Sequence, residues 1–428
     1  MRLARPDTFL IFKLLISFVS KSPNNGVIFL TNMKKLWDKK GGAQTNQVVE
    51  NYTVGVDYLL DLELLPYDIK GTMAHAKMLH KIKILNKKEL DTLIEGLNKI
   101  LSLSKAGKFT IDKSQEDGHT AIEAYLTENY GDVGKKVHTG RSRNDQSLTM
   151  TRLFSKEKVS GIKKMVEILI FELEKQIKKC GKIKMPGYTH MQRAMPSSVA
   201  MWLGSFCDSL KDDLILINGI MQVIDQNPLG SAAGYGESIL GLDRKFTTKE
   251  LGFKKVQENS MYCAMSRGKF ENIILQAISS VMFDIGKIAS DLLLFTTKEF
   301  NFFTLSDSFK TGSSIMPQKK NYDVLELVRG NVGIFNGYQH QIENVIKNLP
   351  SGYNRDFQLT KEPYLKGMKL AQDTIEVMTL VIKDLEAKKE NLENACSAEL
   401  YATDEALKLV KAGKSFREAY QEVKEKYQ

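Results

Sequence analysis

The chain has 428 residues, 42% hydrophobic and 26% charged, which suits a globular protein of two or three domains and excludes a disordered or fibrous one. Lysine and arginine outnumber aspartate and glutamate 61 to 51, a net charge of +10 that favours anionic substrates, while no zinc-finger spacing or glycine-aromatic RNA motif points to nucleic acid. Four scattered cysteines without a CxxC pair exclude a disulfide framework and fit a reducing cytosol, and six histidines without HExxH spacing imply no metal.

The first feature along the chain is the apolar run FLIFKLLISFV (9–19), too short to span a bilayer and interrupted by Lys13. Residues 1–32 read as an N-terminal extension, disordered or not native, with Met33 opening the fold. No proline lies between Pro66 and Pro186 or between Pro228 and Pro317, and such spans suit helices, where proline is costly. Apolar residues then recur at three- and four-residue steps from Val159 to Ile177, from Val199 to Ile224 and from Phe270 to Leu292. Each run predicts a helix of five or more turns with one wide buried stripe. Segments 322–348 and 362–388 predict two more. The run from Phe270 is apolar on more than one side, so it must be buried in a bundle or between subunits. No strand alternation of comparable length occurs, and the prediction is all-α with polar loops at the helix ends.

Polar clusters concentrate at the breaks. EDGHTAIE (116–123) offers Asp117 and His119, and reads equally well as a helix N-terminus with an acidic first turn. HTGRSRNDQ (138–146) offers Arg141 and Arg143 as carboxylate clamps and Asn144 and Gln146 as orienting amides, with Ser142 or Asp145 able to cap a helix at the same time. PGYTHMQRAMP (186–196), bracketed by prolines where helices should stop, sets His190 between Thr189 and Gln192 in a loop suited to proton transfer. TGSSIMPQKKNYD (311–323) gathers Ser313, Ser314, Lys319, Lys320 and Asn321 around Gly312 and Pro317, and these hydroxyl, cationic and amide groups all hold anions. KAGKSF (411–416) lacks the upstream glycine of a phosphate-binding loop.

GSSIMPQKKN resembles the signature loop of the fumarase/aspartase superfamily, and HTGRSRNDQ, PGYTHMQRAMP and EDGHTAIE resemble argininosuccinate lyase within it. LPSGYNRDFQ (349–358) and YATDEALKLVKAGKSFREAY (401–420) extend the likeness from about Leu36 to Tyr420. The resemblance implies an all-α fold of three domains: 33–140, a central long-helix bundle at 141–391, and a short C-terminal domain at 392–428. It also implies a homotetramer with a twenty-helix core, whose active sites each draw loops from three subunits. The implied reaction is elimination of argininosuccinate to arginine and fumarate, in cytoplasmic arginine biosynthesis. No cofactor, metal, nucleic acid or membrane is implied.

By the same resemblance Ser313 is the base on a mobile lid, Lys319 and Asn321 hold the carboxylate that gathers charge, and Thr189 and His190 serve the acid side. Glu326 pairs with His190. Asp61, Asp117, His119, Arg143, Asn144, Gln192, Tyr353, Arg355 and Gln358 hold the substrate. Three departures stand out: Tyr322 where the family usually has proline, predicting a looser lid exit; Arg355 for a lysine; and Asp57 near the place of a serine. The same motifs also fit a lyase for another succinylated amine, adenylosuccinate or N-acylated argininosuccinate, or a non-enzymatic crystallin-like relative.

Overall fold

Each of the five long apolar repeats forms a helix. The computed structural model describes residues 46–427, so the expectation for residues 1–32 lies outside the described residues. From Asn51 onward the chain forms one unit; of the part before it, only residues 46–50 are described. The helices in chain order are α1 (Gln47–Val54), α2 (Asp57–Lys81), α3 (Lys87–Lys105), α4 (Gly118–Tyr130), α5 (Arg143–Cys180), α6 (Val199–Ile224) and α7 (Arg244–Glu250). They continue as α8 (Ser260–Met265), α9 (Lys269–Phe295), α10 (Asp323–Ile346), α11 (Lys361–Asp384), α12 (Lys389–Asn394), α13 (Ala402–Lys411) and α14 (Phe416–Tyr427).

Helices α5, α6, α9, α10 and α11 pack into one bundle. Its core takes Val159, Ile162, Val166, Leu169 and Leu173 from α5, and Leu203, Leu210 and Ile217 from α6. Ile274, Ile278, Val281, Ile285, Ile288 and Leu292 of α9 are all at most 1% exposed, which makes this helix the axis of the bundle. Burying such a side chain is worth about 1.5–3 kcal/mol. Among the described residues α9 is also the one helix long and apolar enough to cross a membrane, and its burial is that of a core helix. At Gly286 a Cβ would meet Val332 at 2.9 Å, so the glycine lets α9 and α10 approach closely. Helix α5 starts well before its apolar repeat because Ser142 and Asp145 form a capping box: Asn144 N–H donates to Ser142 Oγ and Ser142 N–H to Asp145 Oδ1.

Helix α2 has two apolar faces. Leu64 joins the bundle, whereas Leu65, Ile69, Ala76 and Leu79 join a second cluster with Leu93 and Leu97 of α3 and Ile122 and Leu126 of α4. The helix therefore stands at the seam of both clusters, and its carboxylates Asp57, Asp61 and Asp68 come with it. A third, small cluster joins α13 and α14 through Ala406, Ala419 and Val423.

The all-α reading holds, and the longest strands lie in one segment. Residues expected as a helix-stopping loop form an antiparallel hairpin, β1 (Lys184–Thr189) and β2 (Gln192–Ser198), with Pro186 opposite Pro196. Both strands of a two-stranded hairpin are edges, so the N–H that proline lacks can be one the ladder does not need. The remaining strands are two-residue bridges: β3 (Gln226–Asn227) with β4 (Lys255–Val256), β5 (Phe303–Thr304) with β8 (Glu386–Ala387), and β6 (Thr311–Gly312) with β7 (Lys320–Asn321).

Candidate active site

Three helix N-termini border one small polar pocket of about 50 Å³: the starts of α4, α5 and α11. Helix N-termini carry partial positive charge and unsatisfied N–H groups, so their meeting favours anions. The face of α2 that carries Asp57, Asp61 and Asp68, together with Arg267 and the 349–358 string, closes the remaining walls. Of the expected site residues, Asp61, Asp117, His119, Arg143, Tyr353, Arg355 and Gln358 all line this pocket.

Its charges are almost fully paired. Lys361 Nζ lies 2.8 Å from Asp57 and 2.6 Å from Asp61. Burial opposes its charge, but Asp61 and Asp57 outweigh that and hold the ammonium above its ordinary pKa. The second oxygen of Asp61 accepts Gly118 N–H at 2.9 Å, which ties α2 to the start of α4. Arg143 spans Glu116 at 3.0 Å and Asp117 at 3.3 Å, and donates to Thr120 Oγ1 at 2.7 Å. Asp117 also caps α4 by accepting Thr120 N–H at 3.0 Å, the helix-start reading of EDGHTAIE, while it lines the pocket. Asp68 is pushed up to about 6 by burial, although Arg141 pulls the other way and the Gln146 amide donates to both its oxygens at 2.6 Å.

Arg141, read from sequence as a carboxylate clamp, is instead fully buried behind the pocket and donates to Thr72 Oγ1 at 2.8 Å. Asn144 does not line the pocket; it sits in the first turn of α5 with its N–H on Ser142 Oγ. Arg355 and Gln358 turn their side chains to the carbonyls of Thr53 and Val54, at 3.1–3.3 Å, and so brace the segment that leads into α2.

The other expected residues do not join the pocket within one chain. Thr189, His190 and Gln192 are exposed at the hairpin tip. His190 and Met191 both adopt positive φ, 51° and 60°, in a turn geometry that normally selects glycine or asparagine. Such strain persists where something beyond the turn selects the residue. Ser313, Lys319 and Asn321 lie on the loop closed by β6 and β7, and Glu326 is exposed on the first turn of α10. No hydrogen bond joins Glu326 to His190 among the described residues of one chain. Ser313 Oγ accepts Met316 N–H at 3.0 Å and, more weakly, Ile315 N–H at 3.4 Å. The loop exit is not loose: the Tyr322 hydroxyl bonds Thr304 Oγ1 at 3.2 Å and accepts Leu305 N–H at 3.3 Å.

Sequence reasoning missed Lys361, Arg267 and Asp68 as pocket residues. A signal for Asp68 existed: Asp57, Asp61 and Asp68 fall at i, i+4 and i+11, one face of a helix whose neighbours are apolar. A larger groove of about 1100 Å³ runs beside Pro66, Tyr67, Leu153 and Phe154, but it contains none of the expected residues.

One set of side chains has metal-ligand composition. His119, Glu123 and His138 bring ligand atoms within 4.8 Å of one another. The two imidazoles, however, are stacked at 3.7 Å with planes 15° apart, so their lone pairs run side by side rather than converging. Burial pushes both histidines well below their ordinary pKa, helped at His119 by Arg141 and Arg143 and at His138 by His119 and Arg141, and these arginines also oppose a bound cation. The arrangement suits two neutral rings, His119 in the pocket wall and His138 stacked against it.

The geometry can be set beside known proteins. A family model described as lyase matches residues 37–335. An argininosuccinate lyase of Thermotoga neapolitana is 42% identical over 394 residues, covering 92% of this chain and 98% of that one. An argininosuccinate lyase of Xanthomonas oryzae pv. oryzae is 41% identical, over 91% of this chain and 90% of its own. Among solved structures, a variant of EDDS lyase with bound fumarate superposes with a TM-score of 0.76 at 25% identity, over 89% of this chain and 75% of the other.

Proposed function

The chain belongs to the argininosuccinate lyase family of the fumarase/aspartase superfamily, and from that premise we propose that it eliminates argininosuccinate to arginine and fumarate in cytoplasmic arginine biosynthesis. One observation carries the reading: seven of the fifteen expected residues line a single-chain pocket, while most of the rest lie on the hairpin tip, the 311–321 loop and the start of α10. A complete site then needs loops from other copies. Exposed apolar residues along the bundle helices support such assembly, among them Phe171 at 60%, Ile215 at 68%, Phe283 at 50% and Leu327 at 66%. We assign a homotetramer with sites shared among three chains. The four cysteines are all free thiols, as a reducing compartment requires.

In the elimination, Ser313 Oγ takes the proton from the carbon beside a carboxylate, and the electron pair left behind forms the new carbon–carbon double bond. The bond to the guanidinium nitrogen breaks, and that nitrogen takes a proton from the acid side, His190 or Thr189, with Glu326 tuning His190. Charge builds on the carboxylate in the transition state, where Lys319 and Asn321 hold it; one donor of this kind is worth roughly 3–4 kcal/mol. A serine is a weak base unless its anionic form is favoured. The amide N–H groups of Met316 and Ile315, already directed at Ser313 Oγ, support that role. Arg143, Asn144, Asp117, His119, Asp61, Gln192, Tyr353, Arg355 and Gln358 hold the rest of the substrate.

The test is fumarate absorbance with argininosuccinate and adenylosuccinate in parallel, on protein whose mass is measured by sedimentation. Release from argininosuccinate by a tetramer is expected. Release from adenylosuccinate alone would overturn the substrate assignment, and full activity in a monomer would overturn the shared site.

A further inference from the structure

Two helices that wall the substrate pocket also wall the larger groove of about 1100 Å³. Helix α2 gives Asp57, Asp61 and Asp68 to the pocket, and Pro66, Tyr67 and Lys70 to the groove. Helix α5 gives Arg143, Gln146 and Met150 to the one, and Leu153 and Phe154, a turn further on, to the other. The groove has an apolar wall, where Tyr67 meets Phe154 edge-on with ring centroids 5.5 Å apart. Its cations are largely uncommitted. Lys156 is held by Asp225, but Lys70, Lys105, Lys158 and Lys164 form no ion pair among the described residues. Lys158 lays its ammonium 5.6 Å from the centre of the Phe154 ring. Against these four stand two carboxylates, Glu63 and Glu157, and Glu157 already accepts the Tyr67 hydroxyl at 2.8 Å.

An apolar wall rimmed by unpaired ammonium groups complements a molecule with an apolar body and a negative head. No arginine and no helix N-terminus lines the groove, and these are the parts that grip a phosphate, so a singly charged head suits it. We propose that the groove binds a small aromatic carboxylate, which acts as an effector of the substrate pocket. The aromatic body rests on Tyr67 and Phe154, and the carboxylate meets the rim of lysines. Seated between α2 and α5, the ligand changes the spacing of the two helices and with it the fit of substrate between Asp61 and Arg143. Binding stands on the groove alone, whereas the effect on turnover rests on the lyase reading.

Pyrene-1-carboxylate and its uncharged counterpart pyrene-1-methanol are titrated by fluorescence into the full chain, unaltered and as Lys70→Glu/Lys164→Glu, with circular dichroism and sedimentation on both proteins. The carboxylate should bind once per chain and at least about fivefold tighter than the alcohol, the scale of one surface ion pair. The double variant, folded and of unchanged mass, should lose that preference; Lys70→Gln/Lys164→Gln takes its place should the reversal fail to fold. At saturation the carboxylate should shift KM for argininosuccinate at least about fivefold in the unaltered enzyme and leave that of the variant unchanged. Equal binding of the two probes overturns the inference, as does a preference that survives both lysine changes. A variant of lower mass overturns it too, since the groove is then a contact between copies of this chain. Selective binding with KM unmoved overturns the effector role. Absence of fumarate overturns the lyase reading alone, and the titrations still decide the groove.

Discussion

Asp61 and Ser313 were assigned by the same family resemblance, yet their surroundings are opposite. Asp61 is 3% exposed, with one oxygen on Lys361 and the other on a helix N-terminus, so folding of one chain completes its environment. Ser313 sits on a loop whose own amides are its hydrogen-bond donors, flanked by exposed Ser314, Ile315 and Lys319. In the first region a change of side chain disturbs helix packing and binding together. In the second it can remove chemistry and leave the fold alone. Stability and activity should therefore separate by region.

The largest expected effect is on the loop side. Ser313→Ala should lower kcat about 10³-fold, the scale of losing a positioned proton acceptor. Its melting temperature should stay unchanged, since a substitution on an exposed loop usually shifts stability by no more than about 0.5 kcal/mol. Turnover by fumarate absorbance and melting by calorimetry decide it. An active variant would remove the serine from the chemistry, and an unfolded one would erase the contrast between the regions.

Lys361→Met probes the pocket side and should cost stability outright, about 3–5 kcal/mol at pH 7, because Asp57 and Asp61 are left buried without their cation. The loss should shrink toward pH 5 as Asp57, whose pKa burial raises, takes up a proton. Urea unfolding at the two pH values measures both. A variant as stable as the parent would show that the pocket is not built on this pair.

The same contrast explains what was legible in the sequence. Helices α6, α9, α10 and α11 end within a few residues of their apolar repeats, because periodicity records a buried face directly. The hairpin at 184–198 was hidden, since Pro186 and Pro196 signal an end to helix without revealing that they pair. Of the pocket residues, Asp117, His119 and Arg143 were readable as polar strings at helix starts, which are local features, whereas Asp61, Tyr353, Arg355 and Gln358 came only from the family resemblance. Lys361 came from neither: a lysine beside Glu362 looks like a solvated helix start, and only the fold brings Asp57 and Asp61 from α2 to meet it. Arg141 erred the other way, for no local pattern separates an arginine that grips a ligand from one buried behind the site.

A smaller effect is expected at the loop's exit. Tyr322→Phe removes the hydroxyl that joins Thr304 and Leu305, and should cost about 1 kcal/mol. Proteolysis within 311–321 should quicken while the bundle stays intact. An unchanged cleavage rate would show that the ring of Tyr322 alone secures the loop.

The smallest effect returns to carboxyl pairs and isolates what Lys361 contributes. Asp213 of α6 faces Asp284 of α9, both less than 10% exposed, and among the described residues no lysine or arginine forms an ion pair with either. Burial, with Asp284 and Asp212 adding to it, pushes Asp213 up to about 7 from 3.8. A raised carboxyl pKa means that the folded state holds the proton more tightly than the unfolded one. The contribution of this group to stability is therefore full below about pH 4 and is lost as pH rises through about 7, the opposite of a lysine-paired carboxylate. Asp213→Asn should match the parent near pH 4 and exceed it above pH 7, by on the order of 1–2 kcal/mol once the interaction shared with Asp284 is discounted. Melting temperatures across that range test the sign: two parallel curves would mean that the pair is compensated after all, and curves that coincide near pH 4 and part above pH 7 would mean that a buried carboxyl pair without a cation is held together by its proton, in contrast to the lysine-bridged pair of the pocket.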